Sequence, residues 1–210
     1  MGEKPGSISS RERMLQAAKH LFATRGYENT STIMIARTAG TSESQLVKHF
    51  GSKDGLLEAI FDQGWQAMGN LFEFAANDAP PSERLRSLVE QVILGLNRDP
   101  ELKELMLFES RRIRKEGHLV LMTRGFIDFM RKLDSALTDM AERGELLPGL
   151  RPQAVRSALI GMCEGMMRDE LLARRMGTDP GYDANDIRGI LELVLPSLLA
   201  TEQARSAASD

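Results

Sequence analysis

From Met14 to Ala200 the apolar residues of this chain recur three and four positions apart. That spacing winds into helices and leaves no run with the period of two that a half-buried strand needs. Met14, Leu15, Ala18, Leu21 and Phe22 form one face of a helix over about 10–25, capped at Ser10 and stopped by Gly26. Thr30 and Ser31 are cap candidates for a short helix carrying Ile33, Ile35, Ala36 and Ala39, and Gly40 ends it. Ser42 opens a third helix, with Gln45 three residues on in the pattern of a capping box. That helix runs to Phe50 and breaks at Gly51. Ser52 caps a fourth, longer helix over 53–77 with the stripe Leu57, Ile60, Phe61, Trp65, Met68, Leu71, Phe72 and Ala75.

Further helices are expected over about 82–96, 100–115, 119–143, 152–175 and 184–200, with Pro100 and Pro152 in favoured first-turn positions. Glycine- and proline-bearing loops at 144–151 and 177–182 separate the last three. The fold class is therefore all-α, with about nine helices: an N-terminal three-helix helix-turn-helix domain plus a larger C-terminal helical bundle. The expected division is a flexible arm over 1–9, an N-terminal domain over 10–52, a fourth helix over 53–77 that links it to a larger domain over 53–202, and a polar tail over 203–210.

Charge and cysteine usage narrow the function classes. The net charge is −3, but residues 1–60 hold eight Lys/Arg against six Asp/Glu, and the remainder holds 19 against 24. The basic end permits contact with nucleic acid. Cys163 is the lone cysteine, which excludes an internal disulfide framework and a multi-cysteine zinc site. On a helix beside Glu164 it reads as a small buried hydrophobe rather than a redox sensor. No histidine pair has ligand spacing, so neither metal nor cofactor is expected. His20 and His118 read as surface residues, and the run Arg111, Arg112, Arg114, Lys115 as a solvated helix end rather than a second nucleic-acid patch. The opening MGEKPGSISS lacks the apolar core of a signal peptide, and the stretch 187–200 is too short and too polar to span a bilayer. A cytoplasmic protein without membrane contact is expected. No Gly-rich phosphate loop, paired catalytic carboxylates or Ser/His/Asp arrangement is visible, so no enzyme is expected.

Residues 21–57 carry the function. Two short helices joined by Ala39-Gly40-Thr41-Ser42 have the layout of a helix-turn-helix, with glycine in the turn. Leu46 and Phe50, four apart, can pack inward, while Ser44, Gln45, Lys48 and His49 occupy the rest of the helix with Val47 between them. Gln45 can pair with an adenine edge, and Lys48 can reach a guanine edge or a phosphate. Ser42 and Thr32 can donate to phosphates beside helix N-termini, and His49 is either a further phosphate contact or merely a polar residue beside the turn. Lys53 opposes the dipole at the start of the fourth helix, and a phosphate partner would account for a cation there. Glu43 either accepts from a cytosine or simply favours the helix N-terminus.

The run LFATRGYENTSTIMIARTAGTSESQLVKHFGSKDGLLEAI resembles the N-terminal signature of the tetracycline-repressor (TetR) family. The matching positions are Leu21-Phe22, Gly26-Tyr27, Thr30-Ser31, Ile35-Ala36, Ala39-Gly40, Ser42, Leu46, His49-Phe50, Ser52-Lys53 and Leu56-Leu57, in register without gaps. It departs from the family at Thr32-Ile33-Met34, where Val-Arg-Asp is common, and at Val47, where a phosphate-bracing Tyr is common. It also departs at Glu43, where a cation or small residue is frequent, and at Gly51, where Pro is frequent. These departures imply a different operator preference.

The resemblance implies a homodimeric repressor of operator DNA, released when a small hydrophobic effector enters the larger domain and tilts the fourth helix. The alternative is a helical small-molecule-binding protein without DNA binding, which Val47 and Glu43 favour. Trp65, Phe72, Phe108, Phe126, Phe129, Met162 and Met166 could line the effector pocket, although every helical core contains such residues. The resemblance also implies that the last two long helices pair with their copies in a second subunit. Ala158, Gly161 and Gly165 would allow close approach there, and Ile187, Leu191, Val194, Leu195 and Leu198 would supply the apolar seam. The plainer alternative for these residues is intrachain core.

Overall fold

The computed structural model describes residues 8–74, 79–110 and 122–200, without the side chains of residues 71–74, 81 and 88. Most of the expected arm, the tail over 203–210, the basic run from Arg111 to Lys115, His118, Leu119 and the side chain of Phe72 lie outside the described residues.

Among the described residues there are nine α-helices: α1 (Ser10–Arg25), α2 (Thr32–Thr38), α3 (Glu43–Phe50), α4 (Lys53–Phe74), α5 (Pro81–Arg98), α6 (Pro100–Phe108), α7 (Arg124–Glu142), α8 (Pro152–Arg175) and α9 (Ala184–Ser197). The all-α class read from the apolar spacing holds. The helix starts follow side-chain oxygens that accept from orphan backbone N–H groups. Ser9, one residue before the expected cap, accepts from the Glu12 amide at 3.1 Å. Ser31 caps α2 through the Met34 amide and Asp99 caps α6 through the Leu102 amide, at 3.2 and 3.0 Å. Asp183 and Asp186 form a reciprocal capping box on α9.

Thr30, the other cap candidate for α2, has a different task. It is buried, and its hydroxyl faces the carbonyl oxygens of Gly26 at 2.9 Å and Leu21 at 3.2 Å. It therefore closes the end of α1 rather than opening α2. Helix α7 begins at Arg124, inside the expected span of 119–143, and Met122 stands exposed before it.

The chain divides into two compact units: residues 1–65 with 99–126, and residues 66–98 with 127–210. The first unit adds α6 to the N-terminal helices. Linear reading of the sequence could not place it there, because α6 reaches α1 across about eighty residues of chain. Lys19 pairs with Asp99 at 2.5 Å, and His20 meets Glu101 at 2.7 Å. Met14, Ala18, Phe22, Leu46, Phe61 and Leu105 fill this unit's core.

In the second unit α9 packs on α5 and α8. Leu133, Leu137, Leu159, Met167, Ile187 and Leu191 are buried there. Arg84 pairs with Asp139 at 3.0 Å, and Arg156 pairs with Asp134. The segment after α7 is tied to the end of α9 by two backbone bonds, Leu147 N–H to Leu198 O at 2.8 Å and Ala200 N–H to Glu145 O at 2.7 Å.

Candidate nucleic-acid interface

Helices α1, α2 and α3 contact one another pairwise. The turn between α2 and α3 is fixed by backbone bonding: Gly40 N–H reaches Arg37 O at 3.2 Å, and Thr41 N–H reaches Ala36 O at 2.9 Å. This is the Schellman closure, which needs a left-handed residue between the two donors. Gly40 supplies it with φ +63°, a conformation that costs a residue with a Cβ energy. Arg13 secures the same turn from α1, donating through Nε to Ala39 O at 3.1 Å.

The turn delivers α3 with Ser42 as its cap, the Gln45 amide donating to Ser42 Oγ at 3.4 Å. Leu46 is fully buried and anchors the helix, while Phe50 is half-buried with the Arg11 guanidinium 5.2 Å from its ring centre. At the far end Gly55 presses on α3: a Cβ there would lie 2.1 Å from the Phe50 carbonyl oxygen. The helix is thus held from beneath and at both ends. Ser42 at the cap and Ser44, Gln45, Lys48 and His49 along the helix are all exposed, and Val47 keeps 49% of its surface in solvent. A polar face of this kind on a buried anchor can present donors, acceptors and a cation to a double helix.

Two residues expected at the phosphates are engaged inside the protein. Lys53 Nζ donates to Tyr27 O at 2.9 Å and Thr30 O at 3.0 Å and sits 4.1 Å above the Tyr27 ring. These groups answer the cation at the α4 N-terminus, so no phosphate is needed to account for it. The Tyr27 hydroxyl in turn donates to Asp54. Thr32 donates to the Glu43 carboxylate, linking the first turns of α2 and α3. Sequence spacing gave no sign of Arg11, Arg13 or the Thr32–Glu43 pair, because each acts across helices.

The expected pocket residues fall in different units. In the first, Trp65 and Phe126 meet edge to face with centroids 5.2 Å apart, and Phe108 is half-buried. In the second, Phe129 is buried, while Met162 and Met166 are half-buried along α8. The second unit holds a cavity of about 20 Å³ lined by Leu85, Met140, Val155 and Leu195 among others. That is room for a water molecule rather than an effector.

The expected dimer residues separate by face. Ile187, Leu191 and Leu195 are buried within the subunit, which leaves little area to bury against a second copy. They are intrachain core, and Val194 and Leu198 are half-buried beside them. Ala158 and Gly161 are exposed, Gly165 is half-buried, and a Cβ built on either glycine meets no described atom within 4 Å. The large apolar side chains that α9 leaves in solvent are Ile190 and Leu193, the latter 77% exposed.

Cys163 is buried on the opposite side of α8, and burial, reinforced by Glu164, pushes its thiol up to about 11. Among the described residues no helix is long and apolar enough to cross a membrane, and no group of three His, Cys, Asp or Glu could hold a metal.

A short capped helix held through a glycine turn, with its polar face outward, defines a helix-turn-helix protein. Residues 14–60 match the model of the bacterial regulatory proteins, tetR family. The TetR-family regulator PfmR of Thermus thermophilus has the same fold, with TM-score 0.68 and 25% identity over 90% of this chain and 97% of that one. Residues 14–60 of this chain therefore form a domain of the tetR-family type. The fatty acid metabolism regulator protein of Bacillus subtilis is 24% identical over 195 residues, 89% of this chain and 94% of that protein. The nucleoid occlusion factor SlmA of Vibrio atlanticus is 29% identical over 111 residues, which span 50% of this chain and 57% of that protein.

Proposed function

We propose that the protein is a ligand-responsive, DNA-binding transcriptional repressor of the cytoplasm, without enzymatic activity, that acts as a homodimer. The observation that carries this reading is the face of α3: Ser44, Gln45, Lys48 and His49 in solvent above a fully buried Leu46. Ser42 sits at the α3 N-terminus, where it can hold a phosphate. Thr32 and Lys53 serve the architecture beneath that face rather than the phosphates.

Two subunits pair through the open face of α8 around Ala158, Gly161 and Gly165, together with Ile190 and Leu193 of α9. Small residues with free space above them let a second backbone approach closely. Each dimer then presents two α3 helices to successive major grooves, about 34–36 Å apart. A small hydrophobic effector releases the operator by displacing α4. A coupling of about 1–3 kcal/mol between the two sites gives a five- to hundredfold change in affinity.

The test is binding of the full-length protein to its own upstream DNA, followed by fluorescence anisotropy across a salt series. Nanomolar binding that weakens steeply with salt supports the reading. A second reading, a small-molecule-binding helical protein without DNA binding, is favoured by Glu43 and Val47 on the same face of α3. It predicts no salt-dependent affinity for any duplex.

A further inference from the structure

We propose that Glu43, held in place by Thr32, makes the first turn of α3 select cytosine at one position of each operator half-site. This rests on the DNA-binding reading above and goes beyond it by assigning a base preference to a named side chain.

The Thr32 hydroxyl donates to Glu43 Oε1 from the first turn of α2. A hydroxyl carries one proton. With that proton on Glu43, Thr32 cannot also donate to a phosphate, so it is a positioning residue. The helix dipole favours an acid at this end of α3 but does not fix where its oxygens lie. The hydrogen bond from Thr32 does.

Glu43 is exposed, and an ionised carboxylate only accepts, at about four lone-pair sites on two oxygens. Thr32 occupies one of them. The N-terminal residues of a recognition helix meet base edges, so the remaining acceptors face the major groove. A phosphate there would repel the carboxylate, as would the acceptor edges of guanine and thymine. Only the amino groups of cytosine and adenine can donate to it, and adenine sets its N7 acceptor beside that amino group. Cytosine is the base that offers a donor without an adjacent acceptor. Val47 lies one turn further along the same face, 49% exposed, and sets methyl groups rather than a phosphate ligand beside the carboxylate.

The experiment is selection from a randomised duplex library by the full-length wild type, Glu43→Ala, Glu43→Gln and Thr32→Val proteins, with each base then substituted singly in the selected site. The wild type is expected to lose about tenfold in affinity when one cytosine per half-site is replaced. Replacing that cytosine with its N4-methyl analogue, whose one remaining N4–H is used in pairing with guanine so that none is offered to the major groove, should cost at least as much. Glu43→Ala should accept all four bases there within about twofold and keep every other preference, because base-pair contributions are roughly additive. Thr32→Val should reduce the discrimination in the same position only. Glu43→Gln, which can donate as well as accept, should shift the preference away from cytosine.

Unchanged base preference in Glu43→Ala would overturn the proposal, as would uniformly tighter binding of all sequences. The second outcome would mark Glu43 as a mere source of repulsion. If the wild type selects no sequence at all, the DNA-binding reading falls and this proposal with it. A wild type that selects a site without a Glu43-dependent cytosine sinks this proposal alone.

Discussion

Helices α3 and α9 are both amphipathic, and both invite a functional reading from sequence, but the structure treats their apolar residues differently. In α3 the residue read as inward-facing, Leu46, is fully buried, and those read as outward-facing, Gln45 and Lys48, are exposed. In α9 the residues read as a seam for a second subunit, Ile187, Leu191 and Leu195, are buried in the subunit's own core, and Leu193 is left in solvent. A polar residue on a short capped helix has one sensible direction, outward. An apolar residue has two destinations, its own core or a partner's surface, and periodicity cannot tell them apart.

The largest effect that would break this comparison is on the α3 side. Gln45→Ala combined with Lys48→Ala should abolish specific operator binding, leaving only the non-specific affinity that lies about 10³-fold or more below it. Circular dichroism should be unchanged, because both side chains are exposed. A double variant that binds its operator like wild type would show that the exposed face of α3 is surface and nothing else.

The next effect separates two leucines of α9 that stand two positions apart. Leu191→Ala empties part of the core and should cost about 2–5 kcal/mol in denaturant unfolding. Leu193→Ala should change that stability by less than about 0.5 kcal/mol, the usual range for a surface site. Its effect should appear instead as a weaker dimer in sedimentation measured over a concentration series. The opposite pattern would return the seam to the interface that sequence assigned it.

Two lysines sharpen the comparison inside the DNA-binding unit. Lys48 is exposed, whereas Lys53 is held by the Tyr27 and Thr30 carbonyls. If Lys48 meets a phosphate, Lys48→Met should lower the slope of log affinity against log salt by about 0.9. Lys53→Met should leave the slope unchanged and lower the thermal midpoint, because two backbone acceptors lose their donor. Equal slopes for the two variants would mean that Lys48 makes no phosphate contact.

The helix count, the glycine turn and the polar face of α3 were legible because each depends on residues within one turn of one another. The α2 turn is an example, since Gly40 and its two backbone bonds lie within six residues. The placement of α6 on α1 was not legible, because Lys19–Asp99 and His20–Glu101 join positions about eighty apart with no local signature. For the same reason Lys53 looked like a cation awaiting a phosphate. Its acceptors are backbone oxygens in the α1–α2 loop, and sequence does not display the direction of a carbonyl.

The smallest expected effect tests the same contrast of faces within α8. Cys163 lies on the buried side and Gly161 on the open side. Burial raises the thiol from 9.0 to about 11, so the folded state holds its proton more tightly than the unfolded state does. The resulting stability is fully present below pH 9 and is lost as pH rises from 9 to about 11. At pH 10 the loss attributable to this group is about 1 kcal/mol by linkage. Cys163→Ala should therefore show a shallower decline in stability between pH 9 and 11 than wild type. Tyr182, whose phenol is also raised by burial and by Asp169 and Glu170, titrates in both proteins and cancels in the difference. Parallel declines, together with rapid alkylation of the native thiol at pH 8, would place Cys163 on the open face and reverse the assignment of α8's two sides.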